Sequence, residues 1–136
     1  MHVYNVIVVL NETGGQILMC RRRKPPYKGL LNFVGGKAER GETGLQAAYR
    51  ELREETSIPK EKIHLFHLMD YTYYVEGCRV EVYAGRLHGP VRVAGEENEL
   101  CWVSSRENFF DCTKFAGDGN IGHIFIQLNA AKDRLI

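Results

Sequence analysis

The chain has 136 residues, 44% of them hydrophobic and 26% charged, the make-up of a globular protein with one core, so residues 1–136 are expected to form a single domain. Eighteen basic residues face seventeen acidic ones, and the formal charge of +1 gives no support to a general nucleic-acid or membrane-surface binder. The four cysteines, Cys20, Cys78, Cys101 and Cys112, contain no Cys-x-x-Cys spacing, which argues against a zinc site and for buried free thiols in a reducing cytoplasm. The opening "MHVYNVIVVLNETGG" lacks a basic region ahead of a long apolar run. No apolar run approaches the roughly 20 residues of a membrane span. A cytoplasmic location is therefore expected.

Val3–Leu10 is β-branched and apolar, which predicts a mostly buried strand. "NETGG" turns, and "QILMCRRR" is the expected hairpin partner. "KPPYKGLLN" predicts a loop, because its prolines remove backbone donors. Thr43 followed three residues on by Gln46 has the capping-box arrangement, so a helix should run from about Gly44 to Thr56. Leu45, Ala48, Tyr49 and Leu52 give it one apolar stripe, and Ser57 and Pro59 end it. "KIHLFHLMDYTYYVEG" and "CRVEVYAGRL" predict a long hairpin turning at Glu76-Gly77, and "LCWVS" a further short strand. From about Asp118, the spacing of Ile121, Ile124, Phe125 and Leu128 predicts a last helix. Strands, helix, strands, helix is the order of a mixed sheet between helices, an α+β or α/β sandwich. There is no repeat, low-complexity segment or linker.

The helix over 44–56 carries Glu51, Glu54 and Glu55 within an arc of roughly 100°, since each residue turns by about that angle. Like charges at this spacing repel by a few tenths of a kcal/mol per pair. A solvated face partnered by Arg50, Arg53 and Lys60 is one explanation. A site for a hard divalent cation is the other: Mg²⁺ takes oxygen ligands, commonly a few carboxylates plus substrate phosphates, and its charge cancels the repulsion. Gly35-Gly36 lies just upstream, where glycine permits close backbone approach, and Gly41 lets the chain turn ahead of Glu42. Packing alone does not explain a glycine turn feeding a carboxylate-studded helix, which favours the cation.

From Gly36 the pattern runs Gly, five residues, Glu42, seven residues, Arg50-Glu51, Leu52, one residue, Glu54-Glu55, one residue, Ser57, Ile58. This resembles the Nudix box of the Nudix hydrolases. Ser57 departs from the usual glycine, and Val34 replaces a proline common before the Gly-Gly pair. The resemblance implies a Nudix-type αβα sandwich and hydrolysis of a diphosphate linkage with Mg²⁺ or Mn²⁺. Glu51, Glu54 and Glu55 would carry the metal, with the Gly35 carbonyl as a further ligand. Glu42 would orient water or brace the loop, and Arg50 would hold the carboxylates. The general base would be a glutamate of the box, such as Glu54, or one from "GEENELCW". There Glu97 is favoured over Glu96 and Glu99 as an extra ligand or base, with a solvated loop as the alternative.

"CRRRK" is the local basic patch. Arg21 and Arg23 should share a strand face, and one would contact substrate phosphate; surface charge is the alternative, and Lys37 a second candidate. Gly117, Gly119 and Gly122 match G-x-G-x-x-G, but the 14 residues that follow leave no room for a βαβ unit. In the MutT-type branch an Asn at a comparable place reads the purine edge, so Asn120 is a base-binding candidate; a helix cap by Asn120 or Asp118 is the alternative. Phe33, Tyr71, Tyr73 and Tyr83 are stacking candidates that suit a core equally well, and Trp102 is expected in the core. His64, His67, His88 and His123 show no ligand-like cluster. The resemblance thus implies a Mg²⁺-dependent pyrophosphohydrolase converting a nucleoside triphosphate, such as 8-oxo-dGTP, to monophosphate and pyrophosphate. The alternatives are an ADP-ribose or nucleotide-sugar pyrophosphatase and a non-cleaving nucleotide sensor; the intact carboxylate set argues against the sensor. The expected partner is a small nucleotide, neither a nucleic-acid polymer nor a membrane, and monomer and homodimer both remain open.

Overall fold

Strand β1 (His2–Leu10) is the spine of a mixed sheet, and its apolar residues alternate between two cores. Val8 and Leu10 point to one face, Ile7 and Val9 to the other. The computed structural model describes residues 1–95 and 97–135. The remaining strands are β2 (Gln16–Arg21), β3 (Leu31–Asn32), β4 (Val34–Lys37), β5 (Phe66–Tyr73), β6 (Cys78–Arg86) and β7 (Glu99–Ser104). Helix α1 (Gly44–Thr56) covers one face and α2 (Asn120–Ala130) the other, giving the expected αβα sandwich. On the α1 face Ala48 and Leu52 pack on Val34, Leu18 and Tyr83. On the α2 face Ile121, Ile124 and Leu128 pack on Val82, Met19 and Phe33. No helix among the described residues is long and apolar enough to cross a membrane.

The pairing of β1 departs from the expected hairpin. β1 runs parallel to β6 along its whole length, from His2–Cys78 to Leu10–Arg86. Its other edge is divided. The turn after β1 closes as expected, with Asn11 N–H donating to the Gln16 carbonyl at 3.0 Å, yet β1 and β2 pair only at Leu10–Ile17. Beyond that point β4 takes the edge, pairing Tyr4–Ile7 with Lys37–Val34. β2 pairs instead with β7, from Gln16–Ser104 to Arg21–Glu99. Gly35-Gly36, expected in a loop, is thus inside a strand. The sheet forks between β2 and β4, and the fork is the main groove of the molecule.

The β5–β6 hairpin forms as expected, from Phe66–Ala84 to Tyr73–Cys78, with a bulge between His67 and Met69. All four cysteines are free, but only Cys20 is buried; Cys78 and Cys101 are partly exposed and Cys112 is exposed, so the expectation of buried thiols holds for one residue.

Helix α1 begins with the capping box read from the sequence: the Thr43 hydroxyl accepts from Gln46 N–H at 3.1 Å, and the Gln46 side chain accepts from Thr43 N–H at 2.9 Å. It ends at Ser57, whose φ of 68° lies in the left-handed region that favours glycine. The Ser57 hydroxyl donates to the Ala94 carbonyl at 3.2 Å and offsets part of the strain. A left-handed backbone costs a non-glycine residue about 1–2 kcal/mol. Ser57→Gly, after the lost hydrogen bond and the added freedom of the unfolded chain, should stabilise the protein by about 0.5–1 kcal/mol. The measurement is the urea midpoint at constant slope, and a lower midpoint would show that the Ala94 contact outweighs the strain.

Candidate active site

Strand β4 is pressed between β1 and α1, and glycine is what permits it. A Cβ on Gly36 would overlap the Glu51 carboxylate, and one on Gly35 would overlap the Asn5 carbonyl. The buried Asn5 side chain accepts from Gly36 N–H at 3.0 Å and pins the strand there. The close backbone approach expected of these glycines is present, in a strand rather than a turn.

Arg50 ties this strand, the following loop and the helix together. Its Nε and Nη2 donate to the two Glu42 oxygens at 2.7 and 2.9 Å. Nη1 donates to Glu51 at 2.9 Å and to Glu54 at 3.2 Å, and Nη2 to the Lys37 carbonyl at 3.1 Å. Glu42 also accepts from Glu39 N–H at 2.8 Å. The Arg50 hydrogen bonds hold the Glu42 carboxyl down at about 2, and its partners hold the Arg50 guanidinium above its ordinary range. Glu42 braces the loop; both its oxygens are committed to Arg50.

Glu51, Glu54 and Glu55 line one small polar cavity of about 190 Å³ together with Glu97 and Asn98. The sequence could not place Glu97 beside the helix; β7 pairing with β2 does so. Glu96 lies outside the described residues, and Glu99 turns instead to Arg21 at 3.9 Å. Burial raises the Glu55 carboxyl to about 7; the Gly35 backbone amide opposes this, and the charges of Glu51, Glu97 and Glu54 add to it. Among the described residues no basic side chain forms an ion pair with Glu55. An all-oxygen donor set with such unrelieved repulsion fits a hard divalent cation.

A cavity of about 820 Å³ fills the sheet fork and joins this acidic end to a basic side. Gly35, Gly36, Glu55 and Glu97 line one part of it, and Arg22, Arg23 and Lys24 another. The expected shared face of Arg21 and Arg23 does not exist, because β2 ends at Arg21. Arg21 is outside the cavity lining, donating to the Gly29 carbonyl at 2.9 Å. Arg22, passed over in the sequence, lines the cavity with its Nε fixed on the Pro26 carbonyl at 2.7 Å. The side chain of Lys37 is likewise outside this lining; Lys37 borders a separate cleft near Glu42 and Arg79.

A second cavity, of about 600 Å³, shares Tyr4, Val6, Arg22, Asn32 and Phe33 with the first. Its walls include Tyr27, Tyr71, Tyr73 and Asn120. Phe33 is a core residue whose ring meets Phe125 at 5.8 Å between centroids, and it borders both cavities from below. Tyr83 points to the other face, so it is not a stacking wall here. Trp102 packs at the margin of the α1-side core, partly exposed. Gly119, not Asn120 or Asp118, is the N-cap of α2. Asn120 instead donates to the Tyr73 hydroxyl at 2.7 Å, and Asp118 accepts from the Tyr27 hydroxyl at 2.6 Å.

One histidine does belong to a cluster, contrary to the sequence reading. The bulge after His67 turns His67 and Asp70 to one face, where their ligand atoms and those of Glu81 lie within 4.8 Å of one another. Glu81 is already satisfied there, accepting from Arg79 and from the Tyr83 hydroxyl at 3.0 Å each, while His67 contacts Asp70.

The NUDIX domain profile matches residues 1–120, and the chain belongs to the Nudix hydrolase family. It is 32% identical over 111 residues to the CTP pyrophosphohydrolase of Escherichia coli, an alignment that covers 79% of this chain and 80% of that protein. It is 35% identical over 66 residues to the 8-oxo-dGTP diphosphatase of Escherichia coli, covering 48% and 51% of the two chains. A solved structure of the Caenorhabditis elegans Ap4A hydrolase in a binary complex superposes with a TM-score of 0.77 at 21% identity, over 99% of this chain and 100% of that one, and so shares the fold.

The two perturbed carboxyls give opposite pH dependences. Glu42, lowered from 4.5 to about 2, stabilises the fold above pH 4.5, and that contribution is lost as pH falls from 4.5 towards 2. Glu55, raised from 4.5 to about 7, stabilises relative to higher pH only while protonated, so its contribution is lost as pH rises from 4.5 through 7. Urea titrations of metal-free protein across this range should show the decline above pH 4.5 diminished in Glu55→Gln. An identical decline in the variant would remove Glu55 as its source.

Proposed function

We propose that the chain hydrolyses a nucleoside triphosphate to monophosphate and pyrophosphate with Mg²⁺ or Mn²⁺. One observation carries this reading: an aromatic cavity, a basic side and a carboxylate cluster adjoin in a single continuous groove. A base fits the aromatic part, a polyphosphate the basic part, and divalent cations the acidic end. The same profile match and the hydrolase relatives support pyrophosphohydrolase chemistry. Free thiols suit a cytoplasmic setting.

On this reading Glu51, Glu54 and Glu55 hold the cations, with the Gly35 carbonyl as a further ligand. Bound divalent ions neutralise the polyphosphate and acidify water at neutral pH. Arg50 holds Glu51 and Glu54 while Glu42 keeps Arg50 in place, and Glu55, without an ion pair among the described residues, is left to face the cation. Arg22, Arg23 and Lys24 draw in the phosphate chain. Glu97 stands on the far wall of the acidic cavity, where a carboxylate takes the proton of the attacking water or adds a ligand. Water attacks one phosphorus, its proton passes to a carboxylate, and the anhydride P–O bond breaks with pyrophosphate leaving.

The deciding experiment incubates the protein with Mg²⁺ and a panel of NTPs, dNTPs, 8-oxo-dGTP, ADP-ribose, nucleotide sugars and dinucleoside polyphosphates, distinguishing phosphate from pyrophosphate. The expected product is pyrophosphate from a triphosphate; turnover confined to ADP-ribose, nucleotide sugars or dinucleoside polyphosphates overturns the substrate reading. Glu54→Gln and Glu55→Gln should each lower kcat by about a hundredfold or more, of the size lost with single catalytic groups, while leaving the circular dichroism spectrum intact. Full turnover in either variant contradicts the metal assignment. Arg50→Lys, which keeps the charge but loses the planar fork, should weaken Mn²⁺ binding as well as activity; unchanged Mn²⁺ affinity removes Arg50 from that role.

A further inference from the structure

We propose that Asn5 is a positioning residue for the cation cluster: its carboxamide oxygen holds the Gly35-Gly36 peptide, and its free amide is the donor that orients the Glu51 carboxylate when a divalent ion is bound. The inference rests on the cation reading above and extends it to β1. Three polar side chains are buried among the described residues, Asn5, Thr56 and Glu81. The Thr56 hydroxyl donates to the Leu52 carbonyl at 2.6 Å, and Glu81 accepts from Arg79 on one oxygen and from Tyr83 on the other. Asn5, 4% exposed, is satisfied on one side only. Its Oδ1 accepts from Gly36 N–H at 3.0 Å, and its Nδ2 has no partner among the described residues. A buried donor left unpaired carries its whole desolvation cost, which calls for a partner that arrives with the ligand. Asn5 lines the groove beside Gly35, Gly36 and Glu55, where such a partner would come.

Two ligands of the cation are reached from this one side chain. The N–H of Gly36 and the carbonyl of Gly35 belong to one planar peptide, so the group that grips the N–H sets the plane in which the carbonyl lies. The second ligand follows from the register. Asn5 pairs directly with Gly36 of β4 on one edge and with Glu81 of β6 on the other. Side chains alternate along β1, and Ile7 and Val9 place that of Asn5 on the α1 side. There the Glu51 carboxylate occupies the space of the side chain that Gly36 lacks. Carboxamide and carboxylate therefore flank the same glycine. With Oδ1 held by Gly36 N–H, the amide nitrogen is turned away from that donor, and the carboxylates of this face are Glu51 and Glu81. Glu81 has a donor on each oxygen, whereas Glu51 has Arg50 on Oε1 and none on Oε2 among the described residues. Carboxylates that ligate a metal are themselves held by hydrogen bonds from behind. Arg50 supplies that bond from the helix, and Asn5 supplies it from the sheet.

The test titrates native protein and Asn5→Leu with Mn²⁺, following free Mn²⁺ by electron paramagnetic resonance, with the urea midpoint measured alongside. Leu is close to Asn in size but neither donates nor accepts. The variant should bind Mn²⁺ about tenfold or more weakly, the loss expected when a partner behind a metal ligand is removed. A lower urea midpoint with unchanged Mn²⁺ affinity makes Asn5 structural only and overturns the inference. The native protein gives a second reading that needs no substitution. In its nitrogen–proton correlation spectrum, addition of Mg²⁺ should move an Asn5 side-chain amide proton downfield and slow its exchange with water; an amide indifferent to Mg²⁺ overturns the inference equally. Weaker Mn²⁺ binding by Asn5→Leu in a protein that cleaves no triphosphate keeps this inference and removes the hydrolytic reading. Equal Mn²⁺ affinity of the two proteins removes this inference alone, and native protein that binds no Mn²⁺ removes it together with the cation site.

Discussion

The five-donor fork of Arg50 is the interaction on which the acidic end of the groove depends. Three carboxylates on two turns of one helix repel, and a fourth, Glu42, arrives from the preceding loop. Arg50 meets Glu42, Glu51 and Glu54 at 2.7–3.2 Å and still reaches the Lys37 carbonyl of β4. A planar guanidinium can serve these directions at once; an ammonium is a point charge on a flexible stem. The arrangement is partly buried, with the Arg50 side chain 24% exposed and Glu51 15% exposed. Removing the guanidinium would leave carboxylates in a low-dielectric setting without a counter-charge, the expensive way to break such a network. One residue thus links the register of β4, the path of the loop and the direction of the helix carboxylates.

The second constraint is the fork of the sheet. A strand can pair along only two edges, and β1 gives one wholly to β6. Its other edge accommodates β2 at Leu10 and β4 from Tyr4 to Ile7, so the two partners must part. Asn5 lies at that junction, buried beside Gly36; a larger residue at Gly36 would drive β4 off α1, and one at Gly35 would drive it off β1. The opening between β2 and β4 is where aromatic, basic and acidic surfaces meet. Groove and helix cluster have the same cause: a glycine strand thin enough to sit between them.

Local signals in the sequence proved sufficient for local structure. Thr43 and Gln46 announced the start of α1, the β-branched apolar run of β1 announced a buried strand, and the stripe of α2 announced its buried face. The carboxylates share an arc because helical geometry alone dictates it. Partners distant in the chain were not legible. Gly35-Gly36 read as a turn because nothing nearby shows that β1 has a vacant edge. Arg22 was missed because alternation was extended past Arg21, where the strand ends, and past the reach of β7. His67 was missed because a bulge reverses the side of every residue beyond it, and no residue type marks that bulge. Asn120 was expected either to cap a helix or to read a base; the left-handed Gly119 takes the cap and leaves the amide to Tyr73.

Two acidic groups among the described residues differ in how far their charge is answered. At His67, Asp70 and Glu81 the ligand atoms are closer together, yet the charges answer one another: Arg79 and Tyr83 occupy both oxygens of Glu81, and His67 faces Asp70. A metal entering there would have to displace Arg79 and overcome its charge. In the helix cluster Arg50 serves Glu42, Glu51 and Glu54, and its donors are then committed. Glu55 has the Gly35 amide but no ion pair, and burial with three neighbouring carboxylates pushes its proton affinity up towards neutrality. Proximity of ligand atoms is therefore the weaker criterion. A binding site for a cation is recognised by negative charge that the fold has gathered and left uncompensated, open on one side to the groove from which a polyphosphate would bring the remaining ligands.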